Sequence, residues 1–371
     1  MIEGYIPARP ISLYIHVPFC HARCDYCAFY SSIYDKDRAD RYYETLKKEL
    51  ELIVEEVKTG FHTAYFGGGN PILLGSERIL ELLTIIERYG KPQETTIEIN
   101  PENITPDLDE LYPHITRIST GIQSMSDRTL SFLNRRTRVR DNIRAMEYLS
   151  SSPFIWNADI ITAVPTTTVD DTLADIRKVA EYNPQHISFY CLTFEEGTPL
   201  VARSTPLGDE KEREFLLEGW KVLEEKGYGH YEISAFAKKG YECSHNRVYW
   251  NLGQYIGLGP SAESFLGYTT GVSMRNTEEL DTFISTHSFD CDRLTKEETE
   301  ESYLLTALRT REGIDKEEYR LRFSEDFDVL YSERIESLDS SWYNNTDFSF
   351  SLTEEGMLML NTVILTLSMA I

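Results

Sequence analysis

The chain has 371 residues, of which 41% are hydrophobic, and this composition predicts a soluble globular protein with one large core or two of ordinary size. Its 37 Lys and Arg residues against 61 Asp and Glu residues give a formal net charge of -24 at pH 7. A charge of this sign and size repels nucleic-acid phosphates and anionic membrane surfaces, so the composition argues against both as partners.

The first half of the chain alternates β-rich runs with longer amphipathic segments. Between residues 12 and 193 this alternation predicts strand-helix units with strands that are apolar enough to be buried on both faces, as parallel strands are. Right-handed crossovers would close six such units into a partial (β/α)6 barrel, an α/β fold, and an open doubly wound sheet is the alternative. The predicted strands are 13–17, 63–66, 96–99, 117–122, 155–161 and 186–192, and the clearest helices are 39–57, 76–88 and 170–182.

The strand-helix rhythm fades in the second half of the chain. A long charged helix is predicted over 209–226, followed by a passage rich in Gly and Tyr over 227–267. A smaller, mainly helical part is predicted from about residue 276 to the end. The sequence therefore predicts a partial barrel over 1–195, a barrel extension over 196–275 and a helical C-terminal domain over 276–371.

The longest apolar stretch lies at the C-terminal end, over residues 356–371. Asn361 and Thr362 interrupt its 16 residues, whereas a membrane-spanning helix needs about 20 apolar residues. We therefore predict a core helix, with a peripheral membrane contact as the alternative. The N-terminus lacks the charged start and apolar core of a signal peptide, so we expect a cytoplasmic protein.

Cys20, Cys24 and Cys27 form a CxxxCxxC motif directly after the first predicted strand. Three thiolates can hold three corners of a 4Fe-4S cluster and leave the fourth iron free to bind a small molecule through an amine and a carboxylate. Zinc is the rival metal, but a structural zinc site needs four ligands, and no second CxxC or HxxxH follows in the sequence. The other three cysteines are scattered singly, so the motif favours an iron-sulfur cluster.

Polar residues recur at the ends of the later predicted strands, where barrel enzymes carry their chemistry. A glycine run at 67–71 follows the second strand and would let the backbone approach a ligand closely. Glu98 ends the third strand, where its carboxylate can pair with a ligand ammonium. Gln123 ends the fourth strand, Arg135 follows it and Asp159 lies on the fifth. Each could singly be a structural polar group or part of a tight turn, but their recurrence after the cysteines favours a ligand site.

These features resemble the radical S-adenosylmethionine (SAM) superfamily, whose partial barrel holds a 4Fe-4S cluster and SAM at its top. The resemblance is closest to the oxygen-independent coproporphyrinogen III oxidase group, and it runs through almost the whole chain. It rests on the motifs LYIHVPFC at 13–20, FGGGNP at 66–71, TGIQS at 120–124, LNRR at 133–136 and ISFYCLT at 187–193.

The resemblance implies a role for each matching residue. Cys20, Cys24 and Cys27 would bind the cluster. Glu98 would take the methionyl amine of SAM, and Tyr14 would lie over the methionyl group. Tyr26 and Gly68 would contact the nucleoside, and Gly69, Asn70, Gln123, Arg135 and Asp159 match positions that line a neighbouring nucleotide site in the true oxidases.

Two departures separate this chain from the true oxidases of that group. The oxidases carry a fourth cysteine two residues after the third, where this chain has Phe29. They also have a long N-terminal arm that helps to enclose the substrate, whereas 19 residues precede Cys20 in this sequence. Radical decarboxylation of a tetrapyrrole side chain needs a closed, water-free site. Both departures therefore favour the sister branch, which consists of heme chaperones.

A motif in the second segment resembles a heme-associated sequence of the chaperone branch. It reads HNRVYW, so His245, Asn246, Tyr249 and Trp250 are the candidate heme-binding residues. An imidazole is a good axial ligand of heme iron, and the Tyr and Trp rings offer flat apolar surface to a porphyrin. Cys243 is a candidate second ligand. The alternative is a cluster of His and aromatic residues that packs a domain interface.

The chain departs from the family pattern at three places. Asn70 replaces the usual threonine after the three glycines, and Ala163 begins an Ala-Val-Pro sequence where Gly-Leu-Pro is usual. Ser261 and Glu263 stand where glycine and histidine are usual. The change from histidine to Glu263 either alters heme ligation or changes a surface contact.

The sequence as a whole predicts a protein that binds heme and passes it to acceptor proteins, membrane-associated ones among them. A 4Fe-4S cluster and SAM are the other expected cofactors, and productive cleavage of SAM stays open. A coproporphyrinogen III oxidase is the alternative function. Nucleic acid is not expected as a partner, because the chain is strongly acidic.

Overall fold

The computed structural model describes residues 2–286 and 288–368. The strands are β1 (Ile11–Val17), β2 (Phe19–Cys20), β3 (Ser32–Ile33), β4 (Thr63–Gly68), β5 (Glu94–Glu98), β6 (Arg117–Gln123), β7 (Ile155–Thr162), β8 (His186–Cys191), β9 (Gly229–Glu232), β10 (Ala235–Ala237), β11 (Gln254–Leu258), β12 (Glu263–Gly267), β13 (Gly271–Asn276), β14 (Phe289–Leu294), β15 (Ile314–Asp315), β16 (Tyr343–Asn345) and β17 (Ser349–Leu352). The α-helices are α1 (Lys36–Val57), α2 (Ser76–Ile86), α3 (Asp127–Phe132), α4 (Val139–Ser151), α5 (Val169–Ala180), α6 (Asp209–Glu225), α7 (Ser244–Trp250), α8 (Leu280–Thr286), α9 (Lys296–Ala307), α10 (Lys316–Phe323), α11 (Phe327–Glu336), α12 (Glu354–Leu358) and α13 (Leu360–Ser368).

The six predicted strands are confirmed as β1, β4, β5, β6, β7 and β8, with bounds that differ by at most two residues. They lie side by side in chain order, and every neighbouring pair is parallel. Because this order never reverses, right-handed crossovers place the connecting helices on one face and leave the other face to curl around a lumen. A doubly wound sheet would need a reversal of the strand order, so the partial barrel is confirmed.

The main sheet is wider than the six predicted strands. β11 pairs in parallel with β1 and continues the barrel on that side, and β12, β13 and β14 follow it as antiparallel strands. On the other side β10 and β9 extend the sheet beyond β8. Sequence analysis did not predict β11, because this five-residue strand is short, is flanked by glycines and lies outside the strand-helix rhythm.

Residues of the barrel strands alternate between the helix-covered face and the lumen. On β7, Trp156, Ala158 and Ile160 are buried in the hydrophobic core, while Asn157 and Asp159 line the lumen. The same alternation directs Thr96 and Glu98 of β5, Ser119, Gly121 and Gln123 of β6, and Ser188 and Tyr190 of β8 into the lumen.

Helix α1 shows how local sequence signals position the end of β1. Its N-cap Asp35 accepts a hydrogen bond from the Arg38 backbone N–H at 2.9 Å, and the helix ends at Lys58 in a left-handed conformation. The buried face of α1 includes Tyr42, whose hydroxyl donates to the His16 carbonyl at 2.6 Å. This bond fixes the C-terminal end of β1, from which the cysteine motif follows.

The C-terminal part is mainly helical, from α9 to α13, with a small sheet in the order β15-β17-β16. The predicted boundary at residue 275 falls inside β13, and the main sheet continues into β14, so the domain boundaries stay predictions. The predicted core helix at 356–371 is observed as α12 and α13, with Val363 and Leu367 fully buried, and residues 369–371 lie outside the described part. Among the described helices, none has the length and apolar character that a membrane crossing requires.

Candidate functional site

The cysteine motif lies on the loop that leaves the C-terminal end of β1. Cys20 is the last residue of β2, which pairs with β3 and so closes the loop at its base. Cys20, Cys24 and Cys27 are all half-buried, and all three line one cavity of about 670 Å³ that extends into the lumen. The structure therefore brings the three predicted cluster ligands to the same mouth of the barrel.

Asp25, which lies between the second and third cysteines of the motif, ties the loop to its surroundings. Its carboxylate accepts hydrogen bonds from Asn134 Nδ2 at 2.7 Å and from Arg203 Nε at 2.9 Å. Its backbone N–H donates to the Leu133 carbonyl, and its carbonyl accepts from the Leu200 N–H. These contacts of Asp25 hold the loop without using the thiols.

The electrostatics of the three thiols fit a cationic iron-sulfur centre. Burial, followed by repulsion from Cys27 and Cys24, raises the pKa of Cys20 to about 12. Burial also raises the pKa of Cys27. The Arg135 guanidinium lies beside the group, with Nη1 at 3.6 Å from Cys24 Sγ. Adjacent buried thiolates are costly without positive charge among them, and bound iron would supply that charge.

The glycine run after β4 packs tightly against the end of β1. Gly68 has a φ of +100°, and a Cβ added there would lie 2.5 Å from Cε1 of His16. The imidazole has little room to move, because the Tyr14 hydroxyl contacts Nδ1 at 3.1 Å and Nε2 donates to the Tyr30 carbonyl at 3.0 Å. Gly68 and Gly69 both line the cavity, so these glycines provide backbone surface to a ligand where a side chain has no space.

Glu98 faces the same mouth from the end of β5. Its Oε1 accepts from the Tyr65 hydroxyl at 2.8 Å, and its Oε2 accepts from the Gly68 N–H at 3.1 Å. Burial raises the pKa of Glu98 to about 7, even though both hydrogen bonds favour the carboxylate. A buried carboxylate with lone pairs left over is a good partner for a ligand ammonium, as predicted for this residue.

Gln123, Arg135 and Asp159 line the same cavity as the cysteines and the glycine run. Gln123 lies at an irregularity between β6 and β7 and has a φ of +62°. Arg135 Nη2 donates to the Gly121 carbonyl at 2.8 Å, which directs the guanidinium across the barrel mouth. Asp159 accepts from Asn157 Nδ2 at 2.7 Å, and burial raises its pKa.

Tyr26 also lines the cavity, from the cysteine loop itself. Its ring packs against a small hydrophobic cluster that is separate from the main core and includes Leu133, Ile161 and Leu200. The cluster joins the cysteine loop to the ends of β7 and α3. Tyr26 thus stands between this apolar support and the open mouth, and its contact with the nucleoside stays a prediction.

Two predicted ligand residues do not reach the cavity wall, as far as the described residues define it. Tyr14 is half-buried and uses its hydroxyl on His16, so it supports the glycine run from behind. Asn70 is fully buried, its Nδ2 donates to Asn103 Oδ1 at 2.8 Å and its Oδ1 accepts from the Asn100 N–H at 3.3 Å. Both residues therefore act in this structure by positioning the loops around the site.

The HNxxYW motif forms α7, and its two pairs of residues point in different directions. His245 is almost fully buried, with Nδ1 at 2.8 Å from the Thr63 hydroxyl and Nε2 at 2.7 Å from the Tyr249 hydroxyl. Its ring also lies 5.0 Å from the Tyr65 ring. Burial lowers the pKa of His245 to about 3, so the imidazole is neutral. Axial ligation of heme by His245 would require these hydrogen bonds to be exchanged.

Asn246 and Trp250, one helical turn apart on α7, line the same cavity as the cysteines. They lie at its far end, near the N-terminal ends of β6 and β8, where Arg117 and His186 also line it. The cavity therefore runs through the lumen from the cysteine loop to the predicted heme motif. Cys243, the candidate second ligand, is buried at this end with its Sγ 3.6 Å from Glu94 Oε1.

Several site residues were not identified in the sequence, above all Tyr65, Asn157, His186 and Arg309. The first three lie on barrel strands in which most neighbouring residues are apolar, so the strands were predicted as buried on both faces. The signal that could have identified them is a polar residue at every second position, as in Asn157 and Asp159, which indicates a lumen with polar groups. Arg309 carries no such signal, because it follows α9 and reaches the cavity only through the tertiary fold.

Comparison with known proteins places this arrangement in a class. Residues 14–179 match the model of the radical SAM superfamily. Coproporphyrinogen III oxidase (HemN) from Escherichia coli, a radical SAM enzyme, has a similar fold, with a TM-score of 0.82 and 19% sequence identity over 99% of this chain and 91% of that chain. The chain belongs to the radical SAM superfamily.

Relatives of nearly equal length define its branch. The chain is 30% identical to heme chaperone HemW of Buchnera aphidicola subsp. Schizaphis graminum over 369 residues, 96% of this chain and 97% of the relative, and 30% identical to heme chaperone HemW of Escherichia coli K12 with the same coverage. Within the radical SAM superfamily it therefore belongs to the HemW family.

Proposed function

We propose that this protein binds heme and passes it to acceptor proteins, and that it holds a 4Fe-4S cluster and SAM while it does so. The observation that carries the proposal is the shared cavity, which has the three cysteines at one end and Asn246 and Trp250 of the HNxxYW motif at the other. The name of the full-length relatives, heme chaperone HemW, supports the same reading.

The residues at the barrel mouth fit the cluster and SAM. Cys20, Cys24 and Cys27 would hold three irons, and the bound cluster supplies a redox centre with an open iron for the amine and carboxylate of SAM. Glu98 would accept a hydrogen bond from the methionyl amine, and Tyr65 holds the Glu98 carboxylate in place through its hydroxyl. Whether SAM is cleaved productively in this protein is a separate matter, because a chaperone needs the site only as a structural or regulatory element.

SAM binding should weaken as the pH falls from 8 to 6. The pKa of Glu98 is raised to about 7, so the protonated fraction of this carboxyl grows as the pH falls below that value, and the neutral acid is a much weaker hydrogen-bond acceptor for the methionyl amine than the carboxylate is. About one pH unit below its pKa a carboxyl is roughly nine-tenths protonated, which predicts about a tenfold weaker affinity at pH 6. Equilibrium dialysis with the anaerobically reconstituted protein measures this change.

Glu98→Gln is the matched control for that titration. It keeps the size of the side chain and removes the ionisation, so its SAM affinity should be low and independent of pH in this range. A wild-type affinity that is equally flat between pH 6 and 8 would contradict the assigned role of Glu98.

We propose that His245 becomes available to heme iron when Nε2 exchanges the Tyr249 hydroxyl for the metal. The imidazole is neutral, as a metal ligand must be. His245→Ala should weaken hemin binding at least tenfold and remove the spectroscopic signature of imidazole ligation, with the cluster intact. Tyr249→Phe keeps the ring but removes the competing hydroxyl, so it should bind hemin as tightly as the wild type or more tightly.

The control for this pair is His230→Ala, which removes a buried imidazole that packs between Trp220 and Phe236. It should leave the hemin spectrum unchanged. An unchanged spectrum in His245→Ala would refute ligation by His245, and the packing role of this residue would then suffice to explain its burial.

A coproporphyrinogen III oxidase is the second candidate, since the cysteines and Glu98 line one cavity. The two functions separate in one anaerobic experiment with the reconstituted protein, SAM, a reductant and coproporphyrinogen III, run beside a hemin titration. Saturable hemin binding without protoporphyrinogen supports the chaperone. Multiple turnovers to protoporphyrinogen would instead establish the oxidase and refute the proposed function.

We further propose that the protein works in a reducing compartment such as the cytoplasm, because its three adjacent thiols must stay free for iron. Its acceptors would be heme proteins, membrane-associated ones among them. Transfer is testable by mixing the heme-loaded protein with an apo-acceptor and following the acceptor's absorption. If the acceptor is loaded no faster from the protein than from free hemin, transfer by this protein is contradicted.

A further inference from the structure

The far end of the lumen cavity, which we call the floor, is built by residues from four parts of the chain. Arg117 begins β6, Glu232 ends β9, Trp250 ends α7 and Arg309 follows α9, and all four line the cavity. The floor is distinct from the barrel mouth, where the residues assigned to the cluster and SAM lie.

Three nitrogen atoms of the floor are buried donors with no hydrogen-bond partner among residues 2–286 and 288–368. They are Nη1 of Arg117, Nε1 of Trp250 and Nε of Arg309. Each of these atoms can only donate. A buried donor left without an acceptor costs about 1–3 kcal/mol. Three of them on residues that line one cavity indicate that this end of the cavity takes a ligand with hydrogen-bond acceptors.

The floor donors are held rigidly in place. Arg117 Nε pairs with Glu94 Oε2 at 3.0 Å, and its Nη2 donates to the Tyr241 carbonyl at 2.6 Å, so only Nη1 is left over. The Arg309 guanidinium carbon lies 4.9 Å from the centre of the Trp250 ring, in cation-π contact. Such preorganised donors lose little conformational entropy when a ligand binds.

The charges of the floor favour an anionic ligand over a neutral one. The Arg117 guanidinium is already balanced by Glu94. The Arg309 guanidinium is balanced only in part, because the facing Glu232 carboxylate accepts from the Ser234 N–H and burial raises its pKa to about 7. A carboxylate placed between these donors would satisfy them and pair with the cation.

We propose that the floor is a carboxylate-binding subsite that takes the propionate groups of heme, with Trp250 Nε1 and Arg309 Nε as donors to the carboxylate oxygens. The inference rests on the proposed function, since it takes heme as the ligand. It adds the place in the cavity at which the porphyrin is held and the groups that hold it.

In this arrangement the HNxxYW motif has two different roles on one helix. Asn246 and Trp250 face the ligand, while His245 and Tyr249 pack against β4 and β11 through Thr63 and Tyr255. The carboxylate subsite makes heme binding depend on groups other than the iron ligand. Consequently it can be tested with porphyrins that differ only in their side chains.

The test compares hemin with hemin dimethyl ester, titrated into the anaerobically reconstituted full chain in the same dilute detergent. Trp250→Phe removes the free indole N–H and keeps an aromatic ring, and Arg309→Gln removes the charge. Each should weaken hemin binding about tenfold, the effect of losing one hydrogen bond to a charged group. Neither should change the affinity for the diester, which wild type should itself bind at least tenfold more weakly than hemin.

Two control variants are matched to these changes. Trp220→Phe removes another buried indole N–H that lacks a partner within the described part of the chain, but Trp220 packs on His230. Arg311→Gln removes a cation two residues from Arg309 that pairs with Glu354 at 2.7 Å. Both should bind hemin and the diester as wild type does, which separates loss of the subsite from a general loss of stability.

The outcomes distinguish the subsite from the proposed function. Equal loss of hemin and diester binding in Trp250→Phe, or no loss of either, would overturn the carboxylate subsite while heme binding itself stands. Loss of SAM binding in the same variant would assign the floor to the SAM carboxylate and likewise overturn the proposal. A wild-type protein that binds neither porphyrin would overturn the proposed function, and the floor's role would fail with it.

Discussion

Replacing Cys24 with alanine should leave the protein without an iron-sulfur cluster. The three thiols share one end of a cavity, and three ligands are the minimum for a 4Fe-4S cluster with an open iron. We expect the anaerobically reconstituted Cys24→Ala protein to lose its thiolate-to-iron absorption and to fall to background iron content. The variant should still fold, because Asp25 anchors the loop through contacts that do not use the thiols.

Cys291→Ala is the control for this experiment. Cys291 is an exposed cysteine on β14, paired opposite Met274 in the sheet, so its loss should change neither iron content nor absorption. A Cys24→Ala protein that still held a full 4Fe-4S cluster would refute the assignment of the motif. A wild-type protein that took up one zinc ion in place of the cluster would refute it as well.

Gly68→Ala should be strongly destabilising and should abolish SAM binding. At a φ of +100° an added Cβ would meet the His16 imidazole at 2.5 Å, and two hydrogen bonds hold that ring. The backbone strain costs about 1–2 kcal/mol, and overpacking adds about 1–3 kcal/mol. Anaerobic denaturant unfolding should therefore show a loss of about 3 kcal/mol, and the displaced glycine run would no longer present its backbone to the ligand.

Gly75→Ala separates the two contributions. Gly75 has a similar φ of +93°, but a Cβ there meets no described atom within 4 Å. It should show the backbone strain alone, about 1–2 kcal/mol, and should bind SAM normally. Equal losses in the two alanine variants would show that His16 moves aside and that the glycine run is not a tight cradle.

The structure explains why glycine is usual at two of the positions where this chain departs from the family pattern. Ala163 has a φ of +55° and Ser261 a φ of +62°, both in the left-handed region that favours glycine. Glu263, in contrast, is an exposed residue at the start of β12 whose carboxylate lies 3.5 Å from Arg275. Its replacement of the usual histidine therefore changes a surface contact, one of the two alternatives that the sequence left open.

The sequence by itself determined the features that depend on neighbouring residues. The six barrel strands, the long helices and the CxxxCxxC motif follow from hydrophobic periodicity and residue spacing, which are properties of short contiguous segments. The placement of Glu98, Gln123 and Asp159 in the lumen follows equally, because parallel strands end at the same edge of a barrel and alternate residues face the same side.

Only the tertiary structure decided which residues of a motif meet the ligand. The spacing of HNxxYW is compatible with any rotation of the helix, and it is the packing of α7 on β4 that buries His245 and leaves Trp250 at the floor. Arg309 joins that floor from a distant part of the chain, and Asn70 is withdrawn from the cavity by a hydrogen bond to Asn103 on another loop. Tyr14 uses its hydroxyl on the His16 imidazole of the same strand and does not line the cavity. Such contacts are set by the free energy of packing the whole chain, so no local pattern in the sequence carries them.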